Sequence, residues 1–218
     1  MKLVIQLVLW VVIIFLGYLV FNAVYEPIQF NKLKEKRYTK VIERLMDIRA
    51  AQLAHQDVTG KYAKDFDGLI KFIDTAEFVV VQRRDTTVMD VEYRKAFGVD
   101  KYMDIVLIDT LGYASVKDSL FKGNDRYKQM AKVPVDGVDA EFEMDAGTIL
   151  KNDNTFPVFM VRVDKSVVLH DQDKDLVMQE KQVVSVDQVN GPYISVGSME
   201  DVNTTANWPD SYGQATNQ

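Results

Sequence analysis

The run LVIQLVLWVVIIFLGYLVFNAVY, from Leu3 to Tyr25, constrains this chain more than any other feature. Only Gln6 and Asn22 interrupt it, one near each end. As a helix it spans about 34 Å, enough to cross a hydrocarbon core of about 30 Å. A secretory signal peptide would have a shorter apolar region and end in a small-x-small cleavage site. Here Phe21 and Ala23 occupy the corresponding positions. The run therefore reads as an uncleaved, single-pass anchor, with Tyr25 suited to the membrane interface.

Orientation can be argued in two ways. Lys2 precedes the run, while Lys32, Lys34, Lys36, Arg37, Lys40 and Arg44 follow it. Counted by the positive-inside rule, this places the following domain in the cytoplasm. However, a short amino terminus often stays inside, large domains translocate despite their charge, and a basic run contacts anionic headgroups on either side. The expectation carried forward is a single-pass membrane protein with its domain outside the cytoplasm (periplasmic in a bacterial inner membrane), with a cytoplasmic domain as the alternative.

Beyond the anchor, Tyr38, Val41, Ile42, Leu45, Ile48 and Gln52 follow helical spacing, and Lys40, Glu43, Arg44 and Asp47 lie mostly off that face. This predicts an amphipathic helix over 26–58. Pro27 either starts it as a separate helix or kinks one continuous rod. Gly60 is placed to end the helix in the left-handed conformation. Asp65 is placed to cap a short return helix carrying Phe66, Leu69, Ile70 and Ile73 on one face. Gly60, Tyr62 and Phe66 thus form a structural joint, the two aromatics pinning the turn to the core.

EFVVVQRRD and DIVLIDTLGYASV read as strands, separated by a short helix or loop in VEYRKAFGVD. KDSLF and DRYKQM read as helical or irregular. In AEFEMDAGTI, acids alternate with Phe142, Met144 and Ala146, the pattern of a half-buried antiparallel strand. FPVFMVRVDKSVVL reads as its partner across a KNDNT turn. KQVVSVDQV and YISVGSM suggest a further hairpin around Asn190-Gly191. The expected fold class is α+β: a transmembrane helix continuing into an amphipathic helix, then a mainly antiparallel sheet domain. The segments are an anchor at 1–25, the amphipathic helix at 26–58, a mixed region at 59–134, a β-rich region at 135–202 and a polar tail at 203–218 with a loose end.

The chemistry available is narrow. With no cysteine among 218 residues, disulfides, thiolate metal sites and thiol nucleophiles are excluded. A net charge of −6 argues against a nucleic-acid partner. His170, Asp171, Asp173 and Asp175 lie close together, but Leu176 and Gln182 stand where a calcium loop begun at Asp171 needs glycine and glutamate, so the stretch reads as a solvated acidic turn. His55 lies at a helix end, where a cap-like role is natural. Ser198 lacks a nucleophile elbow, Ser119 lacks a placed base, and Arg83-Arg84 lie too deep for an export signal. No phosphate-binding, dinucleotide or paired metal-histidine motif occurs, and no cofactor is expected.

The order of an apolar helix, an amphipathic helix and then AQLAHQDVTGKYAKDFDGL resembles type IV pilins and the pseudopilins of type II secretion over about residues 38–74. In those families a long helix turns, past a glycine and an aromatic, into a small antiparallel sheet. The chain departs from them earlier: Gly17 lies within the apolar run and the first acid, Glu26, follows it, so no pilin-type processing site is visible. On VIERLMDIRAAQLAH, GKYAKDFDGLIKFIDTAEF, YASVKDSLF and YISVGSMEDVNTTANWP the chain resembles an uncharacterised single-pass membrane protein family of Bacteroidota. That resemblance implies a bacterial envelope setting and no activity. The expected function is a membrane-anchored structural or interaction protein, with the bilayer and a protein partner or second copy as its contacts. The alternative is a membrane-tethered enzyme or small-ligand binder.

Overall fold

The computed structural model describes residues 2–212. A single helix, α1, runs from Lys2 to Thr59 and contains Pro27. The proline lacks an N–H, so it removes one intrahelical bond without ending the helix. The apolar and amphipathic segments are therefore one rod about 87 Å long.

Two halves of α1 meet different surroundings. Leu3 to Phe21, Val24 and Tyr25 are exposed, while Phe30, Tyr38, Val41, Ile42, Leu45, Ile48, Ala51 and Gln52 are buried. These positions recur three and four apart, as a stripe facing one side of a helix must. Gly60 stops the helix with φ +76° and donates to Gln56 O at 2.8 Å. The chain then turns into α2, Phe66–Thr75, capped by Asp65, whose carboxylate accepts from Gly68 N at 2.6 Å. Leu69, Phe72 and Ile73 bury the inner face of α2.

Next comes a long hairpin. β1, Glu77–Met89, leads through α3, Val91–Phe97, to β2, Tyr102–Ser115. The strands pair antiparallel from Glu77↔Ser115 to Met89↔Tyr102, with a bulge at Val80/Val81 that leaves Leu111 as an extra residue on β2. They form a sheet of their own. No side chain of either strand is buried, so the hairpin projects as an arm.

After the arm, α4, Val116–Phe121, and a 3-10 turn over Asp125–Gln129 return to the core. A second sheet follows in the order β3-β4-β5: β3, Glu143–Lys151; β4, Asn154–Asp164; and β5, Tyr193–Gly197. Phe142 and Ala146 face inward around β3 while Glu143 and Asp145 face out, as the alternation predicts. β4 contributes Val158, Phe159, Val161 and Val163 to the core. Each such side chain contributes about 1.5–3 kcal/mol when fully buried. Gly197 has φ +78° and lies against Phe159 O, leaving no room for a Cβ. Buried residues from Phe30 to Val196 form one cluster, spanning both sides of residue 135.

The fold is α+β with antiparallel sheets, as expected. Two local expectations are corrected. The strand expected to run to Leu169 ends at Asp164, where the Asp164 carboxylate caps α5, Lys165–Val168. The strand expected within KQVVSVDQV does not form. Its first residue ends α6, Lys174–Lys181, and the rest is loop, because β5 pairs with β4 instead. The expected loose end falls largely on residues 213–218, outside the described residues.

Candidate functional site

The joint is built around Gln52, a polar residue within the apolar stripe. Its side-chain amide pairs reciprocally with the backbone of Ala63, donating to the carbonyl and accepting from the N–H, both at 2.9 Å. The turn is thereby tied to the rod by a fully buried amide with both functions used. His55 Nδ1 donates to Lys61 O at 2.6 Å and its ring lies 4.7 Å from Phe72, so it braces the same turn. Tyr62 is half-buried with its ring 4.6 Å from Phe159 of β4, and Phe66 packs partly buried on the core. Gly60, Tyr62 and Phe66 are thus brought together with Gln52 and His55 at the far end of the rod.

A second tie lies nearer the apolar half. Lys165 is fully buried, and its ammonium donates to Glu180 O and Val189 O at 2.8 Å and to Glu180 Oε1 at 3.2 Å. Glu180 also accepts from Lys34 at 2.8 Å and from the Tyr38 hydroxyl at 3.3 Å. Burial lowers the Lys165 pKa against the pull of Glu180, and burial followed by Glu180 raises that of Tyr38. All three ammonium protons have acceptors, so the buried charge is compensated. Beside this network Arg37 grips Asp171 through two bonds of 2.6 and 2.8 Å and also donates to Val168 O. Hydrogen bonds from Arg37 and Gln172 hold the Asp171 carboxyl well below the usual carboxylate range.

Between the two ties lies an open groove of about 780 Å³, lined by Glu43, Arg44 and Asp47 of α1 and by Arg126, Lys132 and Asp136. Its arginines are already engaged. Arg126 forks onto Asp47 at 2.8 and 2.9 Å, and Arg44 donates to Gln129 O, with burial lowering its pKa. Through these two arginines the groove joins α1 to the segment after α4.

The acidic stretch after His170 is dispersed by structure. Asp171 binds Arg37, and Asp173 caps α6 by accepting from Asp175 N and Leu176 N. Among the described residues, no group of three or more His, Asp or Glu is placed to hold a metal ion. Ser198 accepts from Glu200 N and Asp201 N in a turn, and Ser119 is exposed on α4. Arg83 and Arg84 lie on the arm, facing Asp85 and Asp109. The Lys165–Glu180 and Arg37–Asp171 pairs were not foreseen. The only signal for the first was a lysine set between apolar runs in MVRVDKSVVL. Comparisons with protein-family models, with curated proteins and with solved structures found no match.

Proposed function

We propose that this protein is a membrane-anchored structural or interaction component of the bacterial cell envelope, with a pseudopilin-like layout of rod and sheet domain. The observation that carries the reading is the division of one helix. Its 58 residues include an 18-residue window of mean hydropathy 2.8, none of it buried, and the same helix continues as the spine of the domain. Phe30, five residues past Tyr25, is already buried. The domain therefore starts about 7.5 Å beyond the apolar run and is held close to the bilayer in a fixed direction. Both ties favour this rigidity. The joint fixes the far end of the rod and the Lys165–Glu180–Lys34 network fixes the near end, so the exposed arm is carried at a set height, where a protein partner meets it.

Fractionation and protease protection test the reading. The chain is expected in the membrane fraction after alkaline wash. Its domain is expected to be digested in intact spheroplasts, which places it in the periplasm. Recovery in the soluble fraction removes the anchor. Protection until the spheroplasts are permeabilised moves the domain to the cytoplasm and removes the envelope role.

A further inference from the structure

Val184 and Val186 are 88% and 90% exposed, more than any other apolar side chain larger than alanine among the described residues. Single exposed valines are ordinary. These two, however, stand in a loop of fixed shape. Gly191 N donates to Val183 O at 3.0 Å, and Ser185 N, between the valines, donates to Asn190 Oδ1 at 2.6 Å. Gln188 N closes the tip on Ser185 O at 3.4 Å. The loop thus holds two apolar side chains in the open.

Topology decides which end of the domain carries this loop. Phe159 of β4 meets Tyr62 at the joint, which Gln52 ties to α1 about 40 Å beyond Tyr25. The strand ends at Asp164, and Lys165 Nζ lies 5.9 Å from the ring of Tyr38, only about 20 Å beyond Tyr25. β4 therefore runs toward the apolar half of the rod. β5 starts opposite Asp164 at Tyr193 and runs back. Residues 165–192 hang from that lower end of the sheet. Within them Asp171 binds Arg37, and Glu180 binds Lys34, which is about 13.5 Å beyond Tyr25. With Tyr25 at the edge of the hydrocarbon core, a headgroup layer of about 5–7.5 Å leaves a gap of about 6–8.5 Å below Lys34. Val186 follows Glu180 by six residues. At about 3.3 Å per extended residue, that is enough chain to close the gap. Charge does not decide the contact, because exposed Lys32 and Lys36 at this end are matched by exposed Glu35 and Asp187.

We propose that Val184 and Val186 rest in the headgroup layer of the bilayer that α1 crosses, as a second membrane contact beside the helix. The proposal rests on the membrane-anchored reading and adds that the domain itself touches lipid. Moving apolar surface out of water drives the contact, so it needs no anionic lipid. One helix leaves the domain free to tilt, and a contact beside it fixes that tilt.

The chain has no cysteine, so a single introduced thiol can carry an environment-sensitive fluorophore. Full-length protein is placed in discoidal phosphatidylcholine bilayers, which are open to solvent on both faces. A label at Val184→Cys is expected to lose most of its emission when the lipid carries a nitroxide near its headgroup, and to be shielded from aqueous iodide. A label at Leu150→Cys, 73% exposed at the upper end of the sheet, is expected to show the reverse. Iodide quenching at 184 as strong as at 150, with no response to the nitroxide, overturns the contact. Shielding from iodide without nitroxide quenching assigns the valines to a protein surface and overturns it too. A label at Val12→Cys, read with a nitroxide deep in the acyl chain, separates this contact from the anchor. Quenching at 12 but not at 184 rejects this inference alone. No quenching at 12 rejects the anchor and, with it, the height on which the contact depends.

Discussion

β4 and β2 are both long strands rich in branched apolar residues and paired antiparallel, yet β4 places Val158, Phe159, Val161 and Val163 in the core while β2 buries none of its side chains. The difference lies in what each sheet meets. β3-β4-β5 has one face against α1 and its joint, where Tyr62 reaches Phe159. The arm leaves the core at Phe78, and beyond that point none of its described side chains is buried. Strand pairing alone therefore does not make a core, which comes from the second layer.

The comparison is broken most directly by truncating one apolar side chain in each region. Phe159→Ala, at 0% exposure, is expected to cost about 3–5 kcal/mol in chemical denaturation. Val81→Ala on the arm is expected to stay within about 0.5 kcal/mol. Similar losses would mean that the arm is packed in the folded chain.

The next effect concerns the tie that holds the sheet domain to the rod. Glu180→Ala leaves the Lys165 ammonium buried without its carboxylate, and a loss of about 3–5 kcal/mol is expected. Combining it with Lys165→Met should restore more than half of the loss, measured by the same unfolding transitions. A double variant no better than the single one would assign the loss to packing.

The smallest effect is pH-dependent. Asp171 has a lowered pKa in the folded chain, so its contribution is fully present above the unfolded value of about 3.9 and is lost as pH falls toward the folded one. Asp171 is 46% exposed, which limits the pair to about 0.5–1 kcal/mol. The gap in melting temperature between native protein and Asp171→Asn is expected to be open at pH 7 and to narrow as pH falls below about 3.9. A gap that does not narrow in acid would remove the ion pair as its source.

Local chemistry was legible wherever one residue type had one satisfactory position. The stripe from Tyr38 to Gln52, the stop at Gly60, the cap at Asp65 and the alternation through Phe142, Met144 and Ala146 all follow from helical period, left-handed φ, side-chain acceptors and strand period. The strand expected within 181–189 does not form, although its valines have strand propensity. Propensity measures fit to a pleated, half-buried surface, and Val184 and Val186, at 88% and 90% exposure, have none to fit. The ties were illegible for another reason: Lys165 with Glu180, and Arg37 with Asp171, are partners 15 and 134 residues apart.

By itself, the sequence determined that an apolar helix about 34 Å long leads into an amphipathic one, that a glycine ends it, and that antiparallel strands follow, because periodicity and turn chemistry act over a few residues. Tertiary structure decided that Pro27 leaves one unbroken rod, that a lysine is buried where two chain segments supply its acceptors, and that one sheet becomes core while the other stands free. Those outcomes depend on which surfaces meet, and burial is a property of both partners.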